Sequence, residues 1–585
     1  MRRKNAISRF STLLLATLAC LLTAVLAPML LSRRATDEPF SGYSVMASPT
    51  DMLVITVPVR LSDAPDLTLT RGTLYADGNA AAGTQISRFV LDGGVFQLNA
   101  SGPAANASGL EGVSGAIAPL MVEQLIAMGF DALTVRRGTL HVTTIDGGSE
   151  SIADIDAELT GWRKGQFSGR GNFTFRGQRL AFEATLQSAG EKRTPQRWPI
   201  RLTLKGDLLE ASAEGHLSAA EDLRLTGQVD VATPSLRRTA RWFGLPIGGA
   251  DGLNTTVVKG HVNWSGRTLA VEDAKVVLDG NEATGALTVN FGGERPLIDA
   301  TLAFGTLDIA PYIEAARSQT FLFDRHHASW SAFDLSFPII KHVDADLRLS
   351  ATKVAIKGSG LALGRGAATV AVRSGKLLAD VAELELHAGK LTAQVTASAN
   401  EIVPRYTLRG KVENFDAAAA GASLLGTSIL TGRSTLAVDV QSAGQTPAEL
   451  LRGLSGKATL ILAESGRVAL DMRAIAAAAK AKGPPGWGLL GKGQTNVEQL
   501  EARAVISNGV LVTEAVQARS GSSGIAASGR IDLAERTLDL QLFMKSNVPT
   551  DRPLKPADVV GADSVTVRGS WQEPFLRGED GDALR

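Results

Sequence analysis

Any chemistry in this chain would have to come from a few histidines and one glycine-rich loop. The seven histidines are His141, His216, His261, His326, His327, His342 and His387. Most stand singly in strand-like sequence, and the one cluster is Asp324 with His326-His327 in "DRHHASW". A metal site needs several ligands converging on one point, and adjacent side chains on an extended backbone point apart, so a loop or surface role is the better reading. "GWGLLGKG", Gly486–Gly493, meets the GxxxxGK spacing of a phosphate-binding loop, but Gly493 stands where Ser or Thr should hold magnesium. The preceding "KGPP" is itself loop-like, whereas a phosphate loop needs a buried strand feeding it. There is no GxSxG, HExxH or CxxC. The residues thus point away from an enzyme and call for no cofactor and no metal. One basic helix face, Arg237, Arg238 and Arg241, could meet anionic lipid headgroups, although a plain solvated face is the simpler reading.

The elements that would position such groups follow from composition. The chain has 585 residues, hydrophobic content of 44% and aromatic content of only 5%, so its apolar surfaces are aliphatic. Lys+Arg 60 against Asp+Glu 59 leaves a formal charge of +1, which creates no field to gather nucleic acid. The single cysteine, Cys20, rules out a disulfide within the chain.

Phe10 to Leu31, "FSTLLLATLACLLTAVLAPMLL", carries no charge. At roughly 1.5 Å per residue it would be about 33 Å long, enough for a hydrocarbon core of about 30 Å. Phe10, Leu14, Leu18, Leu22, Leu26 and Leu31 mark this expected anchor. Arg2, Arg3, Lys4 and Arg9 precede it, so the positive-inside bias puts residues 1–9 in the cytoplasm and the bulk of the chain across the membrane. Val25-Leu26-Ala27 resembles a signal-peptidase site, but Pro28 follows directly and the apolar run exceeds a signal core. Thr17-Leu18-Ala19 before Cys20 makes a poor lipobox. The expectation is an uncleaved, single-pass span.

Residues 32–50 read as a linker, after which strand signals dominate. In "RPLIDATLAFGTLDI", Arg295–Ile309, Ile298, Ala300, Leu302 and Phe304 alternate with Asp299, Thr301, Ala303 and Gly305, which gives a strand one apolar face. The same alternation sets Leu202 with Leu204, Leu223 with Leu225, Leu436 with Val438, and Leu538, Leu540 and Leu542 on single faces. Runs end at Gly, Asp or Asn, which is hairpin punctuation. At roughly one strand per 12–15 residues, about 35–40 strands are expected. Helices are few. "TPAELLRG" has Thr446 as N-cap, Pro447 at the first position, Glu449 three residues beyond the cap and Gly453 at its close. "TPSLRRTARWFG" sets Leu236, Ala240 and Phe243 on one face, and Ala118–Gly129 and Asp471–Lys482 are further candidates. These helices read as plugs or caps on sheets.

Several stretches resemble the AsmA family of bacterial envelope proteins. "RPLIDATLAFGTLDIAPYI" is similar to that family's strand with an Arg-Pro start and a Leu-Asp finish, and "TPSLRRTARWFGLPI" to its short helix. "SWSAFDLSF", "LRGLSGKATLILAESGRVALDM" and "ASGRIDLAERTLDLQL" resemble later segments in the same order. The resemblance is strongest from Arg201 to Leu542, whereas the N-terminal third matches in style only. It implies an inner-membrane anchor, then a long periplasmic β-groove that carries phospholipid acyl chains toward the outer membrane. Burying one sixteen-carbon chain at about 0.8 kcal/mol per methylene is worth on the order of 12 kcal/mol, so such a conduit must shield each chain without gripping one position.

The expected architecture is therefore mainly β. An N-terminal transmembrane helix precedes a long, curled antiparallel sheet that forms an elongated groove with a few short capping helices. Expected segments are 1–9 cytoplasmic, 10–31 anchor, 32–50 linker, 51–190 N-terminal groove, 191–545 AsmA-like groove and 546–585 tail. Candidate lipid-facing residues are Leu202, Leu204, Leu223, Leu225, Leu302, Phe304, Leu436, Val438, Leu538, Leu540 and Leu542. Expected partners are phospholipids, the inner membrane, and outer-membrane or envelope-assembly proteins, but not nucleic acid. The alternative is a scaffold for outer-membrane protein assembly, using exposed strand edges to add client strands.

Overall fold

In Gln178–Gln187, Leu180, Phe182, Ala184 and Leu186 are buried whereas Arg179, Ala181 and Glu183 between them are exposed, so the alternation in sequence becomes two faces of a strand. The structure is a computed structural model. It describes residues 52–55, 59–60, 66–76, 88–99, 132–143, 149–163, 166–187, 197–219, 223–245, 247–248, 252–312, 338–357, 360–401, 403–425, 428–469, 471, 493–549, 558, 563–570, 574–577 and 583–584. Among the described residues the fold is mainly β, with 72% in strands.

The chain forms two compact units, divided between Thr301 and Leu302, with Ile247–Gly252 belonging to the second. Strands of the first are β1 (Met52–Ile55), β2 (Val59–Arg60), β3 (Asp66–Ala76), β4 (Arg88–Asn99), β5 (Ala132–Thr143), β6 (Ser149–Arg163), β7 (Gln166–Phe175) and β8 (Gln178–Gln187). They continue with β9 (Arg197–Gly206), β10 (Glu210–Ala219), β11 (Leu223–Thr233), β12 (Thr256–Ser265), β13 (Thr268–Leu278) and β14 (Asn281–Asn290). β15 (Leu297–Asp308) spans the division.

The second unit holds β16 (Asp344–Ala355), β17 (Leu363–Arg373), β18 (Lys376–Leu386), β19 (Gly389–Ser398), β20 (Arg405–Asp416), β21 (Leu430–Thr431), β22 (Arg433–Ala443), β23 (Ser455–Leu462) and β24 (Gly466–Val468). The remainder are β25 (Thr495–Val497), β26 (Gln499–Ser507), β27 (Val510–Ser520), β28 (Ser523–Asp532), β29 (Thr537–Lys545), β30 (Asp563–Ser570), β31 (Pro574–Arg577) and β32 (Ala583–Leu584). Sequence neighbours pair as antiparallel meanders, and β21, β24 and β25 form a separate three-stranded sheet.

Turn chemistry explains much of this order. Left-handed pairs Arg176-Gly177, Asp279-Gly280, Ser374-Gly375 and Asn508-Gly509 close two-residue hairpins, with Gly at the second position where a Cβ would be strained. The β18–β19 hairpin departs from this, because its left-handed residues are His387 (φ 47°) and Ala388 (φ 60°).

Three helices are present among the described residues. α1 (Leu236–Trp242) is capped by Ser235, whose side chain accepts from the Arg238 amide. It packs at the end of β7 and the β9–β10 turn: Trp242 Nε1 donates to the Phe175 carbonyl at 3.2 Å and Thr239 Oγ1 to the Leu208 carbonyl at 2.8 Å. α2 (Ala417–Leu425) starts where Asp416 Oδ1 accepts from the amides of Ala418 and Ala419. α3 (Pro447–Gly453) is capped by Thr446, and the Glu449 carboxylate reaches back to the Gln445 amide at 2.7 Å.

Two expectations change. No sheet is strongly curled, so the long curled groove is not what these strands form. Curl needs bulges or glycine kinks repeated at matching places; register shifts occur at pairs such as β12–β13, β17–β18 and β27–β28, but pairing from β7 through to β11–β12 and across β28–β29–β30 runs without one. The sheet is also not wholly antiparallel, since β4 and β5 run parallel. A parallel pair needs a crossover of a dozen or more residues, and residues 100–131 provide that length. No helix among the described residues is long and apolar enough to cross a membrane. The expected anchor, with Phe10, Leu14, Leu18, Leu22, Leu26 and Leu31, lies outside the described residues, as do 118–129 and 472–482.

Candidate functional site

The register of the second unit lines apolar side chains up across the strands. One row runs Ala351, Gly366, Leu384, Leu391, Val412, Leu436, Leu460, Ala502, Val516, Ala527, Leu542, Val565, one residue from each of twelve strands from β16 to β30. Another runs Leu347, Val370, Ala379, Val395, Leu408, Val440, Gly456, Ile506, Leu511, Ile531, Leu538, Gly569. Between them lies a row of smaller residues that includes Ala368, Ala393, Gly410, Val438, Ala458 and Ala504. It continues across the β27 bulge, where Thr513 Oγ1 accepts from the Gly529 amide at 2.8 Å, and Gly529 pairs with Leu540. Eleven spacings of about 4.8 Å make this face about 50 Å long, measured along the sheet.

The face is aliphatic and only partly covered. None of the three rows contains an aromatic residue, and Leu408 near the middle is 37% exposed. The opposite face of the same strands carries a polar row, in which Arg409 Nε meets Asp439 at 3.2 Å and Arg568 Nε meets Asp539 at 2.8 Å. Lys411 hydrogen-bonds Glu413 on that polar face and holds its carboxyl below the usual carboxylate range. A one-residue slip would exchange the two faces, so the register itself keeps the apolar rows together.

Of the expected lipid-facing residues, Leu436, Val438, Leu538, Leu540 and Leu542 come together on this face, each partly covered. In the first unit, Leu204 pairs with Ala211, then Val231 and Val258, and Leu202 pairs with Ala213 and then Val229. Leu225 lies between Leu217 and Trp264. Leu204 is buried, Leu202 and Leu225 are partly covered, and Leu223 begins β11 opposite Ala219. On the outer side of these strands Arg201 hydrogen-bonds Glu214 at 2.6 Å and holds that carboxyl below its ordinary range.

Leu302 and Phe304 are partly covered, alternating with exposed Thr301, Ala303 and Gly305 as expected. The alternation shifts after Gly305, where Thr306 is exposed and Leu307 partly covered. The Leu-Asp finish has a structural task. Burial would push the Asp308 carboxyl up, but the amides of Ala310 and Lys357 and the Lys357 ammonium at 3.3 Å hold it below the usual range. Asp308 therefore ties the end of β15 to the end of β16.

The sequence reading missed the covers at one end of the apolar face. α2 packs Ala417 and Ala420 with Phe415 against Val412, Leu430, Leu436 and Leu460. The small sheet sets Val497, Leu430 and Val468 against Leu462, Leu500, Ala518 and Ile525. "DAAAAGASLL", an Asp cap before an alanine run, was the available signal for α2.

No group of three metal-ligating side chains lies together among the described residues. His141, His216, His261 and His342 are exposed on separate elements, and His326 and His327 lie outside the described residues, as do 486–492 of the glycine-rich loop. His387 meets a hydroxyl, with Nε2 2.9 Å from Ser423 Oγ. Its Nδ1 has no hydrogen-bond partner, so no carboxylate orients the ring as in a nucleophilic triad. The basic residues Arg238 and Arg241 of α1 are exposed. An open trough of about 660 Å³ on the polar side of β5–β8 includes Glu158 and Arg170, which pair at 2.7 Å. No protein-family model matches the chain, and no curated protein matches it.

Proposed function

We propose that this protein shields lipid acyl chains on the apolar sheet face of its second unit and supports phospholipid transfer between the inner and outer membranes. In this reading residues 10–31 anchor the chain in the inner membrane and the two β units lie in the periplasm. The resemblance to the AsmA family supports it. The observation that carries it is the set of three apolar rows continuous over twelve strands, partly open and free of aromatic residues. Apolar surface of this extent needs a cover, and shallow rows of aliphatic side chains suit chains that slide. Headgroups would remain in water, and transfer would be passive, driven by a gradient or a partner.

The test is photo-crosslinking from the full chain in cells, with a benzophenone amino acid at Leu408, Val438 or Leu540 and, as control, at Leu378 on the opposite face. Phosphorus-labelled lipid adducts from the first three positions and not from Leu378 are expected. Protein adducts without lipid would overturn the reading and favour the assembly scaffold.

A further inference from the structure

Among the described residues, one buried titratable side chain plays no part in the apolar face, yet holds one of its covers. His387 is 4% exposed at the tip of the β18–β19 hairpin, and its ring meets Ser423 on α2. Ser423 Oγ also lies 3.1 Å from the Ala420 carbonyl, so with that proton donated to the carbonyl, the imidazole Nε2–H donates to the hydroxyl. Nδ1 then holds a lone pair with no partner. The backbone is just as specific. Comparable hairpins place Gly second in their left-handed pair, whereas His387-Ala388 accepts strain at both positions. The extra strain over those hairpins lies at Ala388, since Arg176, Asp279, Ser374 and Asn508 are left-handed at the first position as well.

We propose that His387 and Ser423 form an acid-released latch holding α2 over the apolar row at Val412, Leu436 and Leu460. A second proton would enter at Nδ1, where nothing accepts it, and would leave a cation on a side chain only 4% exposed. The one charged group acting on the ring is Asp416, whose Oδ1 is taken up by the amides of Ala418 and Ala419. The neighbouring hairpin residues Leu386, Ala388 and Gly389, and Ala362, whose carbonyl accepts from the His387 amide, do not titrate. Burial lowers the His387 pKa below its ordinary 6.5, against a smaller upward pull from Asp416. The closed latch therefore binds fewer protons than the open one. Closure is complete above about pH 6.5 and is lost as the pH falls from there toward the lowered value. What the uncovered row receives rests on the lipid reading; the opening itself does not.

Hydrogen–deuterium exchange on the full-length protein, corrected for intrinsic rates, tests this at pH 7.5 and 5.5. Protection of 417–425 should fall by up to about tenfold per pH unit below 6.5, with α1 as an unchanged internal reference. His387→Asn suits the left-handed turn and cannot titrate in this range, so its protection should not vary with pH. Ser423→Ala should raise α2 exchange at pH 7.5. Equal wild-type protection at both pH values, or a pH response retained by His387→Asn, would overturn the latch. Crosslinking from Leu436 at the same two pH values separates the claims: faster α2 exchange without lipid adducts upholds the latch and sinks the lipid reading.

Discussion

Strands β5–β8 and strands β16–β30 follow the same alternation, yet their apolar faces end in different states. In the first region Leu133, Ile152, Phe173 and Phe175 are 0% exposed, and Phe167 and Phe182 are sealed beside them. In the second, the three rows across the sheet are mostly only partly covered, and the buried exceptions are Ala351 and Gly366 on β16 and β17, Ile506 on β26 and Val565 on β30. Side-chain volume separates the two. Phenylalanines fill the space above a sheet, as where Phe173 and Phe182 meet at 6.1 Å between ring centroids. Alanine, glycine and valine leave that space open. Amphipathic strands thus make either a core or a surface, and the size of the apolar residue helps to decide which.

The largest test of this contrast is to cut a large side chain from each face. Phe173→Ala should destabilise the first unit by about 3–5 kcal/mol, because it leaves a cavity in a filled core. Leu408→Ala should cost the second unit below about 1 kcal/mol, since that side chain is already partly in water. Denaturant unfolding of each variant reads both, and equal losses would mean that the second face is a core after all. A charge sharpens the point. Leu540→Asp should keep the fold at a cost on the order of 1 kcal/mol, measured by thermal unfolding, while abolishing lipid adducts from Val438. The smallest effect expected is at the hairpin. Ala388→Gly relieves a left-handed alanine and should stabilise the second unit by about 0.5–1 kcal/mol in the same unfolding assay.

Much of this was legible in the residues. Alternation at Leu202, Leu302 or Leu538 marks a strand because the side-chain period of an extended backbone is two. Thr446-Pro447 announced α3 because a helix start needs acceptors for its open amides, and Leu236, Ala240 and Phe243 on one face announced α1. α2 went unread since an alanine-rich run has no amphipathic period to find. The lipid-facing candidates were chosen one strand at a time, and five of them share one face. Their assembly into rows depends on which residue of one strand faces which residue of the next.

The sequence by itself therefore determined the β class, the hairpin turns and the polarity of each strand's two faces. Those are local properties, set by the period of the backbone and by what Gly, Asp, Asn and Pro permit. Only the tertiary structure decided which apolar faces are sealed, that the sheets are not strongly curled, that β4 runs parallel to β5, and that His387 reaches Ser423. Each of these joins residues distant in the chain. Register and cover are settled by packing between elements, and no spacing within one strand records them.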